Sequence, residues 1–253
     1  DGVVIVTKRN MTGPIALDFL KNNISILTEK PMTSTLQQAH KIVNSIQKRN
    51  IIYKIGYNKI HDRGVTHAKK IYDRLVKTKE LGKIILVRSH RSSGTGYANI
   101  KGDIKTLEKN NLTKPSWPST PSWLPKKYKT HYEQYINLYC HNINLIRFFV
   151  GNKIQVDYAN LSDKKMSSVI MKSKNFDIIL QTGFFGRSVW DERFEIYFEL
   201  GSLKITLPPQ HDIKSNATFI LEKWNNKYKR IVYNKKHKWS FYYQSRDFIE
   251  SLM

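Results

Sequence analysis

One cysteine in 253 residues, Cys140, excludes an internal disulfide framework and any multi-cysteine zinc module. No apolar stretch approaches the roughly 18 to 20 residues that cross a bilayer. The opening Asp1-Gly2-Val3-Val4 lacks the basic flank and apolar segment of a signal peptide, so a soluble, cytoplasmic protein with no membrane partner is expected. No pair among His61, His67, His131 and His141 has a recognised ligand spacing, and carboxylates are missing nearby, so no metal site is expected. The 12 glycines nowhere form G-x-G-x-x-G; Gly94-Thr95-Gly96 lacks the third glycine and the strand-to-helix setting. Acidic residues are also scarce, 20 against 43 Lys plus Arg, which leaves a formal charge of +23.

That excess raises nucleic acid first, because cations displace the counterions of phosphates. Lysine is nevertheless scattered through the whole chain, with only short clusters at Lys126-Lys127-Tyr128-Lys129, Lys227-Tyr228-Lys229-Arg230 and Lys235-Lys236-His237-Lys238. Clusters of this size are usually solvated surface. The last two are interleaved with Trp224, Tyr233, Trp239, Tyr242 and Tyr243, aromatics that could stack bases. Ile231, Tyr233 and the run Trp239 to Tyr243 fit half-buried strand or hairpin residues as well, so a nucleic-acid partner is the remote reading. With 40% hydrophobic residues, 14 Tyr, 11 Phe and 5 Trp, the chain can bury a sizeable core.

The run Val3-Val4-Ile5-Val6 has the pattern of a strand buried on both faces in a parallel sheet. Thr12 to Asn22 places Ile15, Ala16, Phe19 and Leu20 at helical spacing, with Thr12 as N-cap. Ile24 to Thr28 is a second strand, Thr35 to Arg49 a second helix and Ile51 to Gly56 a third strand. This βαβαβ order implies a parallel sheet with right-handed crossovers. A helix from about Asp62 to Lys79 and a strand from Lys83 to Ser89 follow. Ser92 to Lys129 is a long irregular stretch, with Gly94, Gly96 and Gly102 early and Pro115, Pro118, Pro121 and Pro125 later. Tyr132 to Val150 is a strongly apolar helix stopped by Gly151. Seven strand-like runs without helices between them then predict an antiparallel sheet, closed by a helix at Ser245 to Leu252. The fold class expected is α/β: a partial Rossmann-type parallel sheet in residues 1–57, then an α+β domain in 58–253 with a large, mainly antiparallel open sheet.

Parallel sheets of this kind bind ligands at the carboxyl ends of their strands, here Thr7 to Asn10 and Glu29-Lys30-Pro31. A lysine leaving a buried strand can donate hydrogen bonds to a substrate hydroxyl, and Pro31 fixes the turn that aims it. On the helix from Tyr132, the residues Gln134, Asn137, His141 and Asn144 recur at spacings of three and four and so share one face. A polar stripe on an otherwise buried helix needs hydrogen-bond partners from protein, water or ligand. His141 is the usual kind of acid or base near neutral pH, and two asparagines beside it suit a polyol. A satisfied core histidine is the competing reading. Cys140 points about 100° away and reads as a core thiol.

Three passages together resemble one family. Asp1 to Thr7 followed by Ile15 to Leu20 and Ile26-Leu27-Thr28-Glu29-Lys30-Pro31-Met32 is similar to the strand-helix-strand-EKP passage of the glucose-fructose oxidoreductase, inositol dehydrogenase and MocA family (Gfo/Idh/MocA). Gly56 to Asp62 resembles the passage joining its two domains, and His141 to Phe148 resembles its H-D-x-D-L-x-R-x helix. The resemblance implies an NAD- or NADP-dependent dehydrogenase acting on a sugar, cyclitol or related polyol, and a homo-oligomer formed through the open sheet. It implies Lys30 at the reacting hydroxyl and nicotinamide ribose, His141 as general base, and Asn137, Asn144 and Tyr57 on the substrate. Thr7, Arg9, Asn10, Glu29, Lys30 and Pro31 would border the cofactor. Two positions depart from the family: Asn137 stands where many members have Asp, and Thr12 where many have His. The family's glycine motif lies upstream of the strand that opens this chain, so an N-terminally incomplete copy is expected. A non-catalytic, ligand-binding or interaction member of the family is the alternative reading.

Overall fold

A computed structural model describes residues 1–47, 49–94, 117–161, 165–185, 190–224 and 227–253. Of the irregular stretch, Thr95, Gly96, Gly102 and Pro115 lie outside the described residues. The chain divides into two compact units, one holding residues 1–57, 105–141 and 244–253 so far as they are described, the other holding the rest.

In the first unit, β1 (Gly2–Ile5), α1 (Arg9–Lys21), β2 (Ser25–Thr28), α2 (Leu36–Ile46) and β3 (Tyr53–Ile55) alternate as the apolar runs predict. The strands pair in parallel in the order β1-β2-β3, with Val3 opposite Ile26 and Ile26 opposite Tyr53. Ile5, Ala16, Leu20, Ile26 and Ile42 form the core between sheet and helices. Two expectations need correction. Val4 is 57% exposed, because β1 is an edge strand of the described sheet and the side chains that pack inward are Val3 and Ile5. Helix α1 begins at Arg9, ahead of Thr12, since the Lys8 carbonyl already accepts from the N–H groups of Met11 and Thr12. Thr12 is therefore a buried interior residue and not the cap.

Trp117 joins this core by lying on Gly13 of α1, where a Cβ would overlap its ring. Gln38 holds the next residue, donating from Nε2 to the Pro118 carbonyl at 2.8 Å while its Oε1 accepts from Ser34 N at 3.1 Å. Alanine is a better helix former than glycine by about 1 kcal/mol, but overpacking a filled site costs about 1–3 kcal/mol. Gly13→Val should therefore lower stability in urea unfolding and move tryptophan emission to the red as Trp117 is expelled. Unchanged emission and an unchanged midpoint would show that the ring does not occupy this place.

The second unit opens with a 3₁₀ turn, Asn58–His61, and α3 (Arg63–Thr78). Asp62 caps α3 by accepting from Gly64 N at 2.8 Å, and its other oxygen accepts from Ala217 N at 3.1 Å. Burial pushes this carboxyl up, and the Ala217 and Gly64 N–H groups pull it partly back. The strands are β4 (Ile84–Ser93), β5 (Gln155–Asn160), β6 (Met166–Lys172), β7 (Asp177–Gly183), β8 (Trp190–Phe198), β9 (Gly201–Thr206), β10 (Thr218–Lys223) and β11 (Lys229–Tyr233). They form one sheet in the order β11-β10-β9-β8-β4-β7-β6-β5. Only β4 and β7 pair in parallel, Val87 opposite Ile178; the other pairs are antiparallel, as the uninterrupted succession of strands predicts.

The period-2 pattern decides the faces. Val87, Ser89, Arg91 and Ser93 of β4 are buried while the residues between them are half-exposed. Val65, Ala68 and Leu75 of α3, with Leu145, Ile146 and Phe149, pack into the apolar core of this unit with Ile178, Phe194 and Ile196. The opposite face carries a row of alternating charge, Arg88 near Glu195 at 3.8 Å and Lys204 bonded to Glu222 at 2.8 Å. Inside the unit, Lys59 pairs with Glu192, with side chains 5% and 0% exposed. Asn142 Nδ2 adds a bond to the same carboxylate at 3.1 Å.

Helix α4 (Lys129–Val150) starts three residues before the expected Tyr132 and ends at Gly151, whose φ of 86° suits glycine. The run Trp239 to Tyr243, which fits a strand by alternation, instead leads into α5 (Ser240–Leu252). Tertiary packing overrides the β preference of its aromatics: Trp239 stacks on Phe241 at 4.5 Å, and its Nε1 donates to the Gln210 carbonyl.

Candidate active site

The sequence-predicted residues that converge do so in the first unit, at the carboxyl ends of β1 and β2 and on α4. Lys30 follows β2, and its peptide bond to Pro31 is cis. Its ammonium donates to the Asn137 carbonyl at 2.8 Å and to Asn137 Oδ1 at 3.2 Å. Asn137 thus offers Lys30 two oxygens from a half-buried position one turn before His141. His141 is 3% exposed, and the Tyr57 ring meets it edge-on at 6.1 Å between centroids, with planes 83° apart. Lys30, Asn137, Tyr57 and His141, chosen from four separate stretches of sequence, are therefore linked by direct contacts: Lys30 to Asn137, and Tyr57 to His141.

Thr7, Arg9, Asn10 and Glu29 border the same strand ends. Thr7 Oγ1 lies 3.2 Å from Thr12 Oγ1, and Arg9 in the first turn of α1 donates from Nη1 to the Glu133 carbonyl at 2.7 Å. Asn10 is half-buried beside it. Glu29 N donates to the Ile5 carbonyl at 3.0 Å, which fixes the chain as it leaves β2, and Glu29 Oε2 accepts from Lys30 N at 3.3 Å. Asn144, on the same sequence stripe as His141, belongs to the second unit, where it is half-buried. Cys140 is half-buried, and its thiol reaches only the Asn137 carbonyl at 3.7 Å.

Several neighbours escaped sequence reasoning because they lie far away in the chain. Gln244 of α5 is buried, and a Cβ built on Gly56 would stand 3.2 Å from its Nε2, 3.1 Å from the Thr28 carbonyl and 3.5 Å from Glu29 Oε1. Tyr132 donates to the Ser34 carbonyl at 2.7 Å; burial pushes its phenol up, so it stays a donor at neutral pH. Glu133 accepts from Ser119, joining the segment after Trp117 to α4. Among these, only Tyr132 and Glu133 carried any signal, by their proximity to the polar stripe.

These groups fit one end of a nicotinamide dinucleotide. An ammonium, hydroxyl, carboxylate and amide converge beside a glycine without Cβ, the donor and acceptor set that a ribose and a carboxamide use. For the pyrophosphate, by contrast, the 253 residues supply no glycine-rich turn.

Residues 1–57 match the sequence model of a family described as an oxidoreductase family with an NAD-binding Rossmann fold, GFO_IDH_MocA. No curated protein matches the chain. Among solved structures, a dehydrogenase (MviM) from Clostridium difficile is 14% identical over 100% of this chain and 70% of its own, with a TM-score of 0.67. KijD10, a 3-ketoreductase from Actinomadura kijaniata solved with TDP-benzene and NADP, is 13% identical over 100% of this chain and 69% of its own, with a TM-score of 0.69. The apo form of a levoglucosan dehydrogenase is 12% identical over 99% of this chain and 70% of its own, also with a TM-score of 0.69. At these identities the likeness is one of fold. Taken with the match of its first 57 residues, it places the chain with the Gfo/Idh/MocA oxidoreductases.

Proposed function

We propose that the chain is the substrate-handling part of an NAD(P)-dependent oxidoreductase that interconverts the hydroxyl and carbonyl forms of a sugar, cyclitol or related polyol. The observation that carries this reading is the hold of Asn137 on the Lys30 ammonium, one helical turn from a buried histidine. Residues 1–57 serve as half of the nucleotide-binding domain and 58–253 as the substrate domain. Thr7, Arg9, Asn10, Glu29 and Pro31 would border the cofactor, whose nicotinamide accepts or supplies the hydride when bound.

The side chains account for the proton and the charge. When the substrate is an alcohol, the neutral imidazole of His141 accepts the hydroxyl proton as the carbon becomes a carbonyl, and in the reverse direction the imidazolium returns it. Lys30 donates to the reacting oxygen and stabilises the negative charge that develops there. Asn137 fixes the lysine through two acceptor atoms, one of them a backbone carbonyl that no side-chain replacement removes. Being neutral, it cannot raise the basicity of His141 as an Asp would. Tyr57 packs edge-on against the imidazole and restricts its ring. Asn144 is assigned to substrate binding with Asn137 and Tyr57.

The test is a titration of the chain with NADH and NADPH, followed by a screen of sugars and cyclitols for substrate-dependent reduction of NAD or NADP. The expected result is a shift or quench of nicotinamide fluorescence and turnover with at least one polyol. Nicotinamide binding without turnover on any polyol would favour a non-catalytic ligand-binding role, for which Asn137 in place of a carboxylate already speaks. Absence of both would end the oxidoreductase reading for this chain.

A further inference from the structure

The polar stripe of α4 does not stop at the candidate site. Traced towards the helix start, His141, Asn137, Gln134 and Thr130 are separated by four, three and four residues and so lie on one face. Along that face exposure rises steadily: His141 is buried, Asn137 half-buried, and Gln134 and Thr130 exposed. The stripe is thus a polar track from the buried base to solvent, within one unit.

At its outer end the chain presents an unusual surface. From Ser122 to Thr130 every residue except Leu124 is exposed, including Trp123 at 75% and Tyr128 at 44%. Three lysines, Lys126, Lys127 and Lys129, stand between and beside these rings, and the Lys127 ammonium lies 4.9 Å from the centroid of Tyr128. Large aromatics are normally withdrawn from water, and an exposed pair interleaved with cations is the combination that stacks a base and neutralises phosphates. Lys129 precedes Asn137 by eight residues and His141 by twelve, so about 12 Å and 18 Å of helix separate the patch from the site, at 1.5 Å per residue. A ligand that reaches both must be long, anionic near its outer end and flat at its tip.

We propose that Trp123, Lys126, Lys127, Tyr128 and Lys129 bind the nucleoside diphosphate part of a nucleotide-linked sugar whose sugar ring reacts at His141. This rests on the oxidoreductase reading of that site and narrows its substrate from polyols at large to sugars carried on a diphosphate. The base stacks on Trp123 or Tyr128, the lysines hold the diphosphate, and Gln134 and Asn137 line the way inward.

The experiment is calorimetric titration of the whole chain with uridine 5′-diphosphate, inorganic diphosphate and NADP. Uridine diphosphate should bind saturably and at least tenfold tighter than inorganic diphosphate, because base stacking adds about 1–3 kcal/mol. Trp123→Ala should remove that advantage, and Lys126→Glu with Lys127→Glu should abolish binding, while NADP binding is unchanged in both. All three residues are exposed, so folding is not at issue. Equal affinity for the two diphosphates would overturn the proposal by reducing the patch to a charged surface. Parallel loss of NADP binding would overturn it by assigning the patch to the cofactor, and no saturable binding would overturn it outright. No turnover is involved, so failure here leaves the oxidoreductase reading standing, and failure of that reading in the nicotinamide titration leaves this result interpretable.

Discussion

Replacing His141 by alanine is expected to cut polyol turnover by about 10²–10⁴-fold, the range spanned by general acid–base catalysis, while nicotinamide binding is retained. The reasoning is that His141 is the one buried imidazole in the first unit's site, with Tyr57 edge-on to it and Lys30 held one turn away. Removing the imidazole takes away the proton acceptor and leaves Lys30 on Asn137, and the strand ends that border the cofactor are untouched. Because His141 is only 3% exposed, alanine also opens a cavity. His141→Asn fills more of that space, cannot act as a base near neutral pH, and should be as inactive with a smaller loss of stability. Turnover and nicotinamide fluorescence measured on both variants decide the matter. Unchanged turnover in either, with the fold intact by circular dichroism, would sink the assignment. A loss of turnover accompanied by loss of nicotinamide binding would make His141 structural.

The largest effect on stability is expected at the buried pair of Lys59 and Glu192. Both side chains are withdrawn from solvent, and Asn142 shares the carboxylate. Removing one partner of such a pair leaves an uncompensated charge in a low-dielectric interior, at a cost of about 3–5 kcal/mol. For a chain of this size that is a fall in Tm of about 6–20 °C, at 2–4 °C per kcal/mol. Glu192→Gln keeps an acceptor for Asn142 but strands the lysine, and Lys59→Met strands the glutamate. The double variant should be more stable than either single one, because no buried charge remains. Thermal unfolding of the three variants gives the coupling directly. A double variant whose loss equals the sum of the single losses would show that the two groups do not interact. The pair is also the neighbour of several satisfied polar groups, Ser89 accepting from Asn142 at 3.3 Å among them, so the interior of this unit is polar by construction.

The legibility of the fold follows from how local its causes are. The βαβαβ order of the first unit could be read because Ile26, Leu27 and their flanking helices repeat at periods of two and 3.6, and the second unit's strands because no helical pattern interrupts them. Boundaries failed where a backbone bond was decisive: the Lys8 carbonyl, not the Thr12 side chain, starts α1. The Trp239 to Tyr243 run failed because aromatic residues serve a strand and a packed helix start alike, and only stacking on distant neighbours selects one. For the candidate site, Lys30 and His141 stood out by residue type, by Pro31 and by helical spacing. Trp117 and Gln244 could not, since an irregular tryptophan or a glutamine on a terminal helix carries no local mark of what it touches.

Sequence by itself determined the alternation of elements, the scarcity of cysteine and acid, the missing glycine turn and the polar stripe on α4, because each depends on residue identity and on spacing along the chain. Only the tertiary structure decided that Asn137, whose helical neighbours are mostly apolar, meets Lys30, a residue 107 positions earlier. It alone placed β4 between β8 and β7, and brought Lys59 into the interior opposite Glu192. Those pairings are long-range: the free energy that selects them comes from burying groups together, and no short window of sequence contains both partners.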